Sequence, residues 1–206
     1  MGWMCTQNRS VSALVVMVAA AIVSVPQVAA AGDQRPEVQK LYQAGSYDEA
    51  VEAAKGADPA SAFLAAQALL KLEQNEEAAA AFRQIRAGGD ESWALVAESG
   101  EALMANDGAR ALDLARQAVA AGDTSWAEYQ LGLAASKQND FTTAVKAFTR
   151  SIELKGDFAY AHYYAALANQ RLRQLSKAAE HFEAFLRLAP DAPERQAVVA
   201  IMRTLK

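Results

Sequence analysis

Residues 126–154 read WAEYQLGLAASKQNDFTTAVKAFTRSIEL, and residues 160–190 read YAHYYAALANQRLRQLSKAAEHFEAFLRLAP. Slid by 34 positions, the stretches superpose: Leu131 falls on Ala165, Gly132 on Ala166, Phe141 on Leu175, Ala144 on Ala178, Phe148 on Phe182 and Leu154 on Leu188. Each stretch holds two segments with apolar residues at i, i+3, i+4 and i+7, the period of a helix with one buried face. Leu131, Ala134 and Ala135 share a face of the first helix, and Val145, Phe148 and Ile152 share one of the second. Gly or Ala at the crossing lets two backbones approach, where a bulky side chain would overpack the contact.

Working outward, the same pattern continues with weaker matches. Residues 92–124 keep Ala111 but carry Ser99 at the glycine place and Ala115 at the aromatic place. Residues 59–91 keep Ala65-Ala66, Ala78 and Phe82. Residues 33–58 keep a turn, Gly45-Ser-Tyr47-Asp-Glu-Ala50, followed by a short second helix. The anchor alanines at 50, 78, 111, 144 and 178 are spaced by 28, 33, 33 and 34 residues. Polar breaks at Gly45-Ser46, Glu73-Gln74-Asn75, Asn106-Asp107, Asn139-Asp140 and Leu175-Ser176 separate the helices, with Asn, Asp and Ser read as N-caps. Gly88-Gly89, Gly122 and Gly156 stop helices between units. A single pair cannot bury its apolar face, so such units stack. Pro193-Glu194 starts a final helix with Ala197, Val198, Ile201, Met202 and Leu205 on one face and Glu194, Arg195, Gln196 and Arg203 on the other, a solvating cap for the last pair.

These motifs resemble the tetratricopeptide repeat (TPR): a large residue, Leu-Gly, an aromatic, Ala, then Phe, and a closing proline, here Pro190. The resemblance implies an all-α fold, a right-handed α-solenoid of stacked antiparallel helix pairs with a C-terminal capping helix. The units run 33–58, 59–91, 92–124, 125–158 and 159–192, with the cap at 193–206. It also implies a concave groove lined by the first helices at the second, fifth, ninth, twelfth and thirteenth places of each unit. Those places hold Trp126, Tyr129, Leu133, Ser136 and Lys137, then Tyr160, Tyr163, Leu167, Gln170 and Arg171, with Trp93 extending the strip. Tyr and Trp anchor partners through rigid area with a polar tip. The site expectation is therefore Trp126, Tyr129, Leu133, Lys137, Tyr160, Tyr163 and Arg171, with Lys137 and Arg171 available to peptide carbonyls or a carboxylate. Packing between helices is the alternative use of the aromatics. Family members that grip an acidic C-terminal tail use a Lys/Asn clamp; Tyr129 and Leu133 replace it here, which disfavours that partner.

Residues 1–31 are a different kind of sequence. Arg9 precedes an apolar run from Val11 to Val25, Pro26 breaks it, and Val28-Ala29-Ala30-Ala31 follows. A basic start, an apolar middle and small residues at −3 and −1 are the order of a secretory signal peptide, with cleavage expected after Ala31 or Ala30. The run falls short of the roughly 20 residues that span a bilayer. An uncleaved inner-membrane anchor is the alternative. Cleavage would remove Cys5, the one cysteine, and leave 19 basic against 24 acidic residues. A thiol-free chain suits an oxidising, periplasmic compartment.

Composition excludes whole classes of function. The chain has 206 residues, 49 of them alanine, and a net charge of −4. Alanine richness favours helix, and mild acidity argues against nucleic acid, whose phosphates need a basic face. One cysteine cannot make an internal disulfide. There is no Gly-rich phosphate loop, nucleophile elbow or His-Glu-x-x-His. His162 and His181, the only histidines, fall on the two helices of the last unit, too few ligands for a metal site. Paired acids such as Asp48-Glu49 and Glu76-Glu77 open second helices, where they complement the helix dipole. The expectation is a non-catalytic scaffold of the bacterial cell envelope without cofactor or metal, monomeric, binding a protein or peptide and not nucleic acid. It meets a membrane only if the leader is retained. The rival reading is a subunit that self-associates through its ends.

Overall fold

The computed structural model describes residues 35–205; the proposed signal peptide and its cleavage site lie outside them. The described residues form eleven α-helices and no strand. In chain order these are α1 (Arg35–Ala44), α2 (Tyr47–Ala53), α3 (Pro59–Lys71), α4 (Asn75–Gly88), α5 (Glu91–Met104), α6 (Gly108–Ala121), α7 (Ser125–Lys137), α8 (Phe141–Leu154), α9 (Ala159–Arg171), α10 (Leu175–Leu188) and α11 (Arg195–Thr204). Each odd helix packs on the even helix after it, and each even helix packs on the next odd one. Odd helices also touch each other across units, α1 on α3, α5 on α7 and α7 on α9. The odd helices therefore form the inner wall of an all-α stack and the even helices its outer wall.

The turn inside each pair is the most regular feature of the backbone. Gly45, Glu73, Asn106, Asn139 and Arg173 all have positive φ, 81°, 60°, 60°, 60° and 62°. At each, the next residue's N–H reaches back to the carbonyl five residues earlier: Ser46 to Leu41, Gln74 to Leu69, Asp107 to Ala102, Asp140 to Ala135 and Gln174 to Asn169. This is the Schellman closure of a helix C-terminus. Asp107 and Asp140 then cap the following helix by accepting the Arg110 and Thr143 N–H groups. Ser46 makes no side-chain cap bond, and Asn106 and Asn139 supply the left-handed residue instead of a cap. The anchor alanines 50, 78, 111, 144 and 178, five residues after each left-handed position, are fully buried.

Close approach at the crossings has a measurable origin. A Cβ added to Gly132 would lie 2.5 Å from the Phe148 ring, and one added to Gly100 would lie 2.6 Å from the Phe82 ring. In the third unit the glycine place is Ser99, whose hydroxyl donates to the Ala111 carbonyl and accepts from Gln130. That buried relay ties α5, α6 and α7 together. At the C-terminal end, Val198 of α11 is fully buried and Ile201, Met202 and Leu205 lie against the core, while Ala197 is exposed.

Two substitutions test this account. Arg173→Gly should raise stability by about 1 kcal/mol, because a left-handed residue with a Cβ is strained. Gly132→Ala should lower it, because overpacking of about 1–3 kcal/mol outweighs a helix-propensity gain of about 1 kcal/mol. Thermal melts followed by circular dichroism would show opposite shifts in Tm.

Candidate functional site

The inner wall is filled with aromatic rings. Phe63 of α3 lies 6.1 Å from Trp93, 5.9 Å from Trp126 and 6.3 Å from Tyr129 between ring centroids. Phe158, just before α9, lies 4.9 Å from both Trp126 and Tyr129. These separations are those of favourable offset and edge-to-face pairs. Phe63 thus reaches from the second pair to the fourth, so the wall curls tightly enough to leave little room at its deepest point.

The two ends of the array meet across this interior. On α1, the Gln39 side-chain amide donates to the Asp157 carbonyl at 3.0 Å, and the Gln43 side-chain oxygen accepts the Ala159 N–H at 2.6 Å. Tyr42 packs on Tyr160 at 4.9 Å, and the Tyr47 and Tyr160 hydroxyls are 3.4 Å apart. Tyr160 donates to Glu194 at 2.7 Å, and Glu194 pairs with Lys71 at 2.8 Å. Gly45, at the first turn, has a left-handed φ of 81°, and a Cβ there would lie 2.5 Å from the Pro193 ring. The ends form a latch: a polar chain Tyr47–Tyr160–Glu194–Lys71 beside two glutamine bonds. Burial opposes ionisation of Glu194, but Lys71 and Tyr160 outweigh it and hold the carboxyl below its ordinary value. Burial likewise works against the Lys71 ammonium, yet its surroundings, the Glu194 bond among them, leave it above its ordinary value.

The placement of the seven expected site residues follows. Tyr160 is 0%, Tyr129 1% and Trp126 8% exposed, all within the aromatic interior and the latch. Leu133 and Tyr163 are half-buried, and Lys137 and Arg171 are exposed at the last turns of α7 and α9. Tyr163 packs on Tyr160, Tyr164 and Phe185. Arg171 sits over the Phe141 ring, 5.7 Å from its centroid, a cation–π placement. The expected strip therefore divides: Trp126, Tyr129 and Tyr160 form a closed interior, and Leu133, Tyr163, Lys137 and Arg171 stay at least partly exposed. Sequence reasoning missed Gln39, Tyr42, Gln43, Tyr47 and Lys71, and it placed Glu194 on the solvent face of the cap. The 28-residue step from Ala50 to Ala78, against 33 or 34 elsewhere, was the available signal that this unit departs from the others.

Two other features lie apart from the inner wall. His162 and His181 bring their Nδ1 atoms to 3.2 Å across the α9–α10 hairpin, as the spacing allowed. An open cleft of about 530 Å³ lies on the outer wall between α2, α3 and α4, lined by Val51, Ala54, Ala62, Ala65, Leu69, Ala81 and neighbours.

Comparison with known proteins agrees with this architecture. Residues 129–193 match the tetratricopeptide repeat family model. The match covers the two pairs whose TPR motifs are best kept. Among solved structures, the first TPR of Spaghetti (RPAP3), bound to an HSP90 peptide, superposes with a TM-score of 0.52 at 16% identity, over 56% of this chain and 90% of that one. MamA from Desulfovibrio magneticus RS-1 gives 0.47 at 23% identity, over 76% and 96%. YrrB, described as a TPR protein with an unusual peptide-binding site, gives 0.48 at 18% identity, over 77% and 86%. No curated protein sequence matches the chain. The Spaghetti likeness supports a TPR-like stack.

Two measurements probe the latch and the histidine pair. Glu194→Ala should increase acrylamide quenching of Trp126 while helical circular dichroism is retained, since the ends then part over the aromatic interior; unchanged quenching counts against the latch. For the histidines, burial pushes both imidazoles below the ordinary value; His181 and Arg187 add to this at His162, against a Gly156 backbone bond, as Lys177 does at His181, against Glu180. A depressed folded-state value means the neutral pair stabilises fully above the unfolded-state value near 6.5. That contribution fades as pH falls through the folded values. Tm should drop between pH 7 and 5, and the His162→Gln/His181→Gln protein should show a flatter dependence.

Proposed function

We propose that the protein is a non-catalytic scaffold of the cell envelope that holds a protein or peptide segment along its inner wall. The TPR match at residues 129–193 and the TPR-like stack support an interaction module. The leader expected at residues 1–31 supports export. The observation that carries the reading is the way the array closes. Its ends are joined by side-chain hydrogen bonds, one ion pair and tyrosine contacts over an interior of large aromatic rings.

The polar part of the closure is modest beside its buried rings. Neutral hydrogen bonds contribute about 0.5–1.5 kcal/mol each, and a partly exposed ion pair up to about 1 kcal/mol. The polar latch is thus worth a few kcal/mol. A partner with micromolar Kd supplies about 8 kcal/mol. A segment that lands on Leu133 and Tyr163, with its carbonyls or a carboxylate on Lys137 and Arg171, gains access to Trp126, Tyr129 and Tyr160 as the ends separate. In this reading Lys137 and Arg171 form a basic mouth that favours an anionic segment, while the missing Lys/Asn clamp at Tyr129 and Leu133 disfavours the acidic tails that such a clamp grips.

The decisive variants are surface ones. Tyr129→Ala would cost about 3–5 kcal/mol, as for other large buried rings, and would report stability before binding. Lys137→Glu/Arg171→Glu leaves the core intact. Affinity capture from the native envelope should recover a partner with the wild-type mature chain and lose it with this double variant, at unchanged Tm. Glu194→Ala should increase the recovery. Equal capture by wild type and the double variant would overturn the assignment of the mouth. Mass spectrometry of the N-terminus in native cells distinguishes the exported, cleaved chain from a tethered one.

A further inference from the structure

The outer-wall cleft is explained by one irregularity of the array. The second helices α4, α6, α8 and α10 each have 14 residues, whereas α2 has 7. The deficit is two turns, about 10 Å of helix. The chain leaves α2 at Ala54, passes through Gly56 with φ 71°, and enters α3 at Pro59, capped by Asp58. Nothing in the described chain covers the ground that the second half of α2 would cover. The floor is a stripe on α3, Ala62, Ala65 and Leu69, spaced by three and four residues. One wall is α4, with Glu77, Ala80, Ala81, Gln84, Ile85 and Gly88, again at helical spacing. The other is the end of α2, with Val51 and Ala54.

The structure assigns this cleft to a short amphipathic helix of a partner protein, docked where the missing half of α2 would lie. The repeat supplies the template. In the next unit, the second half of α4 brings Phe82 and Ile85 onto the core beside α5, and both are buried. An occupant of the cleft meets α3 as α4 meets α5, so it needs apolar residues at i, i+3, i+4 and i+7, as Ala78, Ala81, Phe82 and Ile85 are spaced in α4. Charge sets the direction of choice. Two charged side chains line the cleft: Lys55 is paired with Glu52, whereas Glu77 is exposed and without an ion pair among the described residues. A basic residue flanking the apolar stripe complements it. This surface lies on the outer wall, away from Lys137 and Arg171, and does not depend on what the inner wall binds.

The probe is a labelled peptide of residues 75–88, the chain's own complete second helix, which carries Phe82 and Ile85 with Arg83 and Arg86. Its anisotropy is titrated with the full-length protein, and an environment-sensitive dye on Gln84→Cys, in a background lacking Cys5, reports occupancy of the cleft. Saturable binding with a matching dye response is expected. Ala81→Trp, which fills the cleft, should weaken it at least tenfold at unchanged helical signal, and Glu77→Lys should weaken it several-fold. Ala62→Trp gives a second obstruction from another helix if Ala81→Trp fails to fold. No saturable binding, a silent dye, or full affinity in a folded cleft-filled variant would overturn the proposal. Lys137→Glu/Arg171→Glu should leave this binding untouched, which separates it from the inner-wall reading.

Discussion

The spacing between paired helices, fixed by glycine and alanine at their crossings, governs the rest of the molecule. Within the fourth pair Gly132 receives the Phe148 ring, and between the second and third pairs Gly100 receives the Phe82 ring, both at distances that exclude a Cβ. Close pairs give a thin, regular layer, and thin layers stack with strong curvature. The odd helices then approach one another, Phe63 can touch Trp126 and Tyr129 two units away, and Tyr42 can reach Tyr160 from the opposite end. A wider crossing would hold these rings apart.

Curvature brings the ends together, and the nature of the contact there matters. Interiors of the pairs are alanine and phenylalanine, and separating them exposes apolar surface. The end-to-end junction combines buried rings, Tyr42 on Tyr160, with Gln39, Gln43, Tyr47, Glu194 and Lys71, groups that water can satisfy when they part. Hydrogen bonds exchanged for water cost little net free energy, whereas buried apolar faces do not separate cheaply. The seam is therefore the junction of the array with the largest share of polar side-chain contacts described above. Glu194 ionised and Lys71 protonated is the state that holds it. The seam loosens as pH falls through the depressed Glu194 value, because the ordinary carboxylate of the unfolded chain takes up the proton first.

The helical pairs, their turns and the anchor alanines were legible in the sequence because each is local. A period near 34, an apolar face and a turn residue are all set within a few residues of one another. Even the left-handed positions keep the anchor spacing, although Asn106 and Asn139 proved to be turn residues and not caps. The inner strip was only half legible. Its register placed Trp126, Tyr129, Leu133, Lys137, Tyr160, Tyr163 and Arg171 on the first helices, but exposure depends on how strongly the array curls. Curl accumulates from every crossing, and residues more than a hundred positions apart then become neighbours. No periodicity announces that Gln43 will meet Ala159 or that Glu194 will meet Lys71. Glu194 looked like a solvent-facing cap residue for the same reason: its ion-pair partner, Lys71, lies 123 residues away.

The first unit is where the two irregularities of the fold coincide. Its turn glycine and Tyr47 belong to the seam, and its shortened helix α2 forms one wall of the outer cleft through Val51 and Ala54. Only about one turn of helix separates Tyr47 from Val51. A helix seated in the cleft would add contacts that α2 has only while it is docked on α3, and any ligand favours the state in which it has more contacts. Fixing α2 also fixes Tyr47 against Tyr160. The regular units carry full-length second helices. The departure of residues 33–58 from the repeat thus brings the seam and the outer cleft onto one short helix.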